Sequence, residues 1–153
     1  MADLHACVTH PFPGSGIPHR MIRPCYLVVD REHAGSISTR KLLIESAKFN
    51  VITAYSAQEA IETLDTFPAV DGVVVDANMN DISTPDLIRA MKHRHPAMPV
   101  VIVGTPGGIA ADGADYGVEL FEPRQLLDLL RLLHPEKSDA IAQREQNLES
   151  RRE

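Results

Sequence analysis

The sequence predicts an α/β fold in which a five-stranded parallel sheet carries helices on both faces. Three observations point there. Short apolar, β-branched runs alternate with segments of helical period, giving the order βαβαβαβαβ. Those runs are nearly continuous rather than alternating, as strands covered on both sides are. Two of them end on an aspartate: Tyr26-Leu27-Val28-Val29 runs into Asp30, and Val73-Val74-Val75 into Asp76. Parallel sheets gather functional groups beyond the carboxyl ends of their strands. The two aspartates are therefore expected in one acidic pocket at one edge of the sheet.

The first strand is expected over Cys25–Val29. Ala34, Ile37, Ile44 and Ala47 then share one helical face. Val51–Ala54 reads as the second strand. Ala57, Ala60, Ile61 and Leu64 follow as an apolar helical stripe, with Ser56 placed to cap it. A third strand at Gly72–Val75 precedes a helix marked by Leu87, Ile88 and Met91, which starts near Ser83 or Thr84 and is ended by Pro96. The fourth strand is Val100–Val103. The next crossover, Thr105 to Tyr116, contains Pro106, Gly107, Gly108 and Gly113, so its helix is expected to be short or frayed. Val118–Phe121 reads as the last strand. Leu126, Leu129, Leu130 and Leu133 mark a final helix between Pro123 and Pro135, with Leu127 and Leu132 outside its main stripe. Right-handed crossovers in this order build the flavodoxin-like doubly wound sheet, strand order 2-1-3-4-5.

Composition narrows the class. A chain of 153 residues fits one domain plus tails. Residues 1–23 are expected to be a flexible tail, 24–134 the domain, and 135–153 a charged tail able to form a helix. His5, Cys7, His10 and His19 in the first tail fit no standard zinc spacing and read as scattered tail residues. Met21 directly precedes the compact sequence and is a second candidate translation start. Two cysteines, Cys7 and Cys25, make no disulfide framework, which favours a reducing, cytoplasmic setting. No apolar run is long enough to cross a bilayer, and no secretory h-region opens the chain. A net charge of −6 without a basic block in the main body argues against nucleic-acid binding.

Residues 23–134 resemble the receiver domain of bacterial response regulators. The resemblance rests on Tyr26-Leu27-Val28-Val29-Asp30-Arg31-Glu32, Gly72-Val73-Val74-Val75-Asp76-Ala77-Asn78-Met79, Pro99-Val100-Val101-Ile102-Val103 and Phe121-Glu122-Pro123. It implies a signalling module rather than an enzyme, with Asp76 as phosphoacceptor. It also implies Asp30 as a metal-binding acid and Asn78 as the carbonyl donor to Mg²⁺. Partners would be a sensor kinase or a downstream effector.

Several residues depart from the family pattern. Arg31 stands at the second acidic position, Gly104 at the threonine or serine position with Thr105 beside it, Glu122 at the lysine position, and Glu119 at the aromatic switch position. The expected pocket thus holds Asp30, Asp76 and Glu122 with Arg31 as its cation. A guanidinium can fork onto carboxylates and stand where a metal would. Weak or absent Mg²⁺ binding and impaired phosphorylation are expected. Output would run through protein contacts, including a homodimer through the last strand and helix. The bond before Pro123 is expected to be cis, as the family pattern implies.

Two other functions are compatible with this sequence. A conventional single-domain regulator would still accept a phosphoryl group on Asp76. A flavin-binding protein or small enzyme on the same fold would need a phosphate-cradling loop after the first strand, and Gly35, Ser36, Ser38 and Thr39 resemble one only loosely.

Overall fold

A computed structural model describes residues 23–31, 38–67, 69–120 and 122–152. Residues 1–22, residues 32–37 (among them Glu32, Ala34, Gly35, Ser36 and Ile37), Pro68, Phe121 and Glu153 lie outside the described residues.

Five strands form one parallel sheet in the order β2-β1-β3-β4-β5. They are β1 (Cys25–Val29), β2 (Asn50–Ala54), β3 (Gly72–Asp76), β4 (Val100–Val103) and β5 (Tyr116–Val118). The helices are α1 (Thr39–Ser46), α2 (Ala57–Thr66), α3 (Thr84–Arg94), α4 (Pro123–Leu133) and α5 (Pro135–Ser150). The sheet and α1 to α4 belong to one compact unit, Arg23–Pro135. Helix α5 is a sixteen-residue helix in the charged segment where the sequence allowed one.

Strand alternation divides the core between the two faces of the sheet. Leu27, Val29, Val73, Val75, Val100 and Ile102 pack with Leu64 of α2 and with Leu87, Ile88 and Met91 of α3. Tyr26 points to the other face, where its ring stacks on Phe49 and meets the His134 ring edge-on. The Tyr26 hydroxyl and His134 Nε2 are 2.7 Å apart, which satisfies the one polar atom of this fully buried side chain. Burial pushes the Tyr26 phenol well above its usual range, and the nearby Asp71 carboxylate adds to that.

Each of the first three helices begins at a serine. Ser38 accepts from Lys41 N, Ser56 from Glu59 N at 3.0 Å, and Ser83 from Asp86 N. Helix α2 has a second cap from outside its own segment. Both carboxylate oxygens of Asp81, in the β3–α3 loop, accept from Ala57 N at 3.0 and 2.9 Å. Desolvation pushes the Asp81 pKa upward, but the backbone N–H donors of Ala57, Gln58, Asp81 and Ile82 together outweigh it and hold the carboxyl below its ordinary value.

The fourth crossover differs most from a regular α/β unit. Pro106–Gly108 forms a single 3₁₀ turn, in keeping with the short element expected there. The chain then returns directly to the sheet, and this moves the last strand. Strand β5 is Tyr116–Val118, not Val118–Phe121. Its register pairs Val101 with Tyr116 and Val103 with Val118. The Val-Glu-Leu-Phe alternation misled because nothing in it shows how closely the returning loop passes. A Cβ on Gly117 would lie 2.4 Å from the Ile109 backbone, so only glycine fits under the loop, and the strand has to include it.

Candidate functional site

Register brings the two aspartates together. Val29 pairs with Val75 across β1 and β3, and the next residue on each strand is Asp30 and Asp76. The Asp30 N–H still bonds Ala54 O at 2.9 Å, which fixes the end of β1. Both aspartates are almost fully buried, at 3% and 4% exposure. Two carboxylates this buried and this close need a cation or a proton.

The cation is Arg40. Its Nη1 lies 2.9 Å from Asp76 Oδ2 and 3.3 Å from Asp30 Oδ1. Arg31, the residue expected in this role, is instead exposed just past the end of β1. Side chains alternate along a strand direction, so the residue after Asp30 does not share its side of the edge. The cation arrives from α1, which starts over the pocket.

Ser38 sets that start. Its hydroxyl is completely buried; it donates to Asp30 Oδ2 at 3.0 Å and accepts from Lys41 N at 3.2 Å. One side chain therefore caps α1 and docks the helix on Asp30. Arg40 then falls in the first turn. A positive charge is unfavourable at a helix N-terminus, where the backbone already presents partial positive charge. The two carboxylates offset that cost, and Asp30 benefits from the same helix end.

The other carboxylate oxygen of Asp76 is also engaged. Its Oδ1 accepts from Asn78 N at 2.7 Å. The Asp76 carbonyl accepts from Thr84 Oγ1 at 3.1 Å, and that hydroxyl accepts from Met79 N at 3.3 Å. Thr84 thus ties the β3–α3 loop to the start of α3.

The other expected residues divide. Glu122 is exposed and lines a cleft of about 360 Å³ together with Asp30 and Arg40. Glu119 lines the same cleft, beyond the end of β5. Gly104 has φ +101°, a left-handed conformation that threonine or serine would adopt only at a cost, which accounts for glycine here. The Thr105 hydroxyl is buried and donates to Ile109 O at 2.7 Å, closing the short loop. The Glu122–Pro123 bond is trans, against the cis expectation. Pro123 starts α4, with Glu122 at φ −121°, ψ 73° as the residue before it.

A family model for the response regulator receiver domain matches residues 26–137. The chain belongs to that family. Solved structures with the same fold include a response regulator receiver domain protein from Clostridium thermocellum, 25% identical, with a TM-score of 0.62, over 80% of this chain and 98% of that one. The chemotaxis protein CheY4 of Vibrio cholerae is 24% identical, with a TM-score of 0.57, over 73% of this chain and 99% of that one. The receiver domain of NtrC4 from Aquifex aeolicus is 22% identical, with a TM-score of 0.58, over 71% and 94%. No functionally curated protein matches the chain. Among the described residues, no helix is long and apolar enough to cross a membrane.

Receiver domains in general bind Mg²⁺ at the phosphorylation site and exchange signals with kinases and effectors. The described residues of this receiver do not fit that ion. Mg²⁺ demands close octahedral oxygen coordination. Here Asp30, Asp76 and the Asn78 carbonyl would have to supply it. Three of the four carboxylate oxygens accept hydrogen bonds from Arg40, Ser38 or Asn78 N; the fourth, Asp30 Oδ1, lies 3.3 Å from Arg40 Nη1, and that guanidinium bridges the two acids. Arg31, which directly follows Asp30, brings a positive charge instead of another oxygen ligand.

Proposed function

We propose that this receiver domain works as a two-component signalling module whose phosphorylation site is held by its own Arg40. Mg²⁺-dependent phosphorylation of Asp76 is then impaired, and the domain acts through protein contacts in the cytoplasm. One observation carries the reading: Arg40 Nη1 bridges Asp76 and Asp30.

Phosphoryl transfer to a carboxylate needs a free oxygen for attack and a cation that neutralises charge on the incoming group. Asp76 Oδ2 is in a charge-assisted hydrogen bond with the guanidinium, which lowers its availability as a nucleophile. Glu122 adds negative charge to the cleft where the family pattern has a lysine. An approaching phosphoryl group meets repulsion there instead of a positive partner. The side of the domain with β5 and α4 presents Tyr116 and Leu132, and Leu132 is 75% exposed. That apolar surface suits a kinase, an effector or a second copy of the chain.

Incubation with acetyl phosphate and Mg²⁺, followed by intact mass measurement, tests the reading. The expected result is no added phosphoryl group on the native chain. A singly phosphorylated species that disappears in Asp76→Ala would instead make this a conventional receiver that uses Asp76.

A further inference from the structure

The cleft beside Arg40 has a charge pattern that the acidic pocket does not use. Its floor is apolar: Val103, Val118 and Leu126 are each at most 3% exposed, and Leu43 of α1 closes one side. Its mouth carries Glu119 and Glu122, both exposed. Its one cation among the described residues, Arg40, is already committed to Asp30 and Asp76. Leu120, 48% exposed, stands between the two glutamates in sequence and forms part of the wall.

We infer that this cleft receives the side chain of a lysine or arginine from a protein partner. The inference rests on the proposed action through protein contacts, and it specifies the chemistry of one contact. A volume of about 360 Å³ suits one long side chain and excludes a larger element such as a helix. The methylene stem would lie on Val118 and Leu126, and the charged head would reach the glutamates at the mouth, as long basic side chains do at interfaces. An acidic or short polar side chain would bury its polar group against apolar walls or face two like charges. The exposed apolar wall at Leu120 favours a partner polypeptide over a free amine, because a polypeptide flanking the side chain would cover it.

Methyl-resolved NMR titration of the full chain tests this. The probes are Nα-acetyl-lysine amide, its neutral analogue Nα-acetyl-norleucine amide, and n-butylammonium. The lysine probe should shift the Val118 and Leu126 methyls saturably and more tightly than norleucine does. Glu119→Gln combined with Glu122→Gln should weaken the lysine probe by about fivefold and leave norleucine unchanged. High salt should act in the same direction as the double variant. Equal binding of norleucine and lysine, absence of a saturable shift, or an unaffected double variant would each overturn the inference. So would binding of n-butylammonium without binding of the lysine amide, since that marks a small-amine site. None of these probes touches Asp76. A failed lysine titration on a chain that resists acetyl phosphate rejects only the docking site. Successful phosphorylation with lysine binding intact rejects only the impaired-receiver reading.

Discussion

Arg40 and Asp76 meet at 2.9 Å although they come from different elements, one from the first turn of α1 and the other from the last residue of β3. The contact joins a helix start to a strand end and neutralises a carboxylate that is otherwise buried. Removing one partner of a buried pair leaves the other charge without compensation. Arg40→Ala is therefore expected to destabilise the fold by about 3 kcal/mol at neutral pH. Thermal unfolding checks this, and a change within about 0.5 kcal/mol would mean that the pair adds little.

Ser38→Ala should act through two losses at once, the cap of α1 and the bond to Asp30. A cap is worth about 1 kcal/mol, and a buried acceptor left without its donor costs about as much again. The expected loss is about 2 kcal/mol. Ser38→Asp would keep a capping oxygen but place a third carboxylate against Asp30, so it should be worse than alanine. Chemical denaturation of both variants ranks them.

Asp81 predicts a dependence on pH. Its folded pKa lies below the unfolded value, so its stabilisation is present above the unfolded pKa and disappears as pH falls through the folded one. Asp81→Ala should cost about 1 kcal/mol at pH 7. The gap between variant and native chain should close as pH drops below about 4. Melting temperatures of both proteins between neutral and acid pH measure that gap. A constant gap would remove the carboxylate from the explanation.

Gly72 faces the ring of Tyr26, and a Cβ there would come within 2.5 Å of that ring. The ring is held between Phe49 and His134 and cannot swing aside. Gly72→Ala should therefore cost about 1–3 kcal/mol through overpacking. Calorimetry of the variant, with the Tyr26 ring resonances as a local probe, reads the effect.

How much of this was legible in the sequence depends on the element. Strands β1 to β4 and the caps at Ser56 and Ser83 follow from local pattern, because burial on both faces leaves β-branched runs and serine starts helices for reasons of hydrogen bonding. The position of β5 did not follow. It is set by the close passage of the loop over Gly117, a long-range contact that periodicity does not encode. In the site, Asp30 and Asp76 were readable as strand-end carboxylates. The local pattern points to Arg31 as the cation, and the structure puts Arg40 there. Arg31 is adjacent in sequence, whereas Arg40 is adjacent in space because Ser38 anchors α1 over the pocket. One signal was available: Arg40 falls in the first turn after a capping serine, where a positive charge is unfavourable unless an acid faces it. Asp81 was missed for a similar reason, since a cap supplied from another loop leaves no mark near the helix it caps.

Titration with Mg²⁺, followed by the backbone amides of Asp76, Ala77 and Asn78 in the native chain and in Arg40→Ala, tests the role of Arg40 most directly. With Arg40 acting as the built-in cation, the native amides should barely respond. The variant should show saturable shifts and a melting temperature that rises with added Mg²⁺. Tight, saturable Mg²⁺ binding by the native chain, or no gain of binding in the variant, would contradict that role.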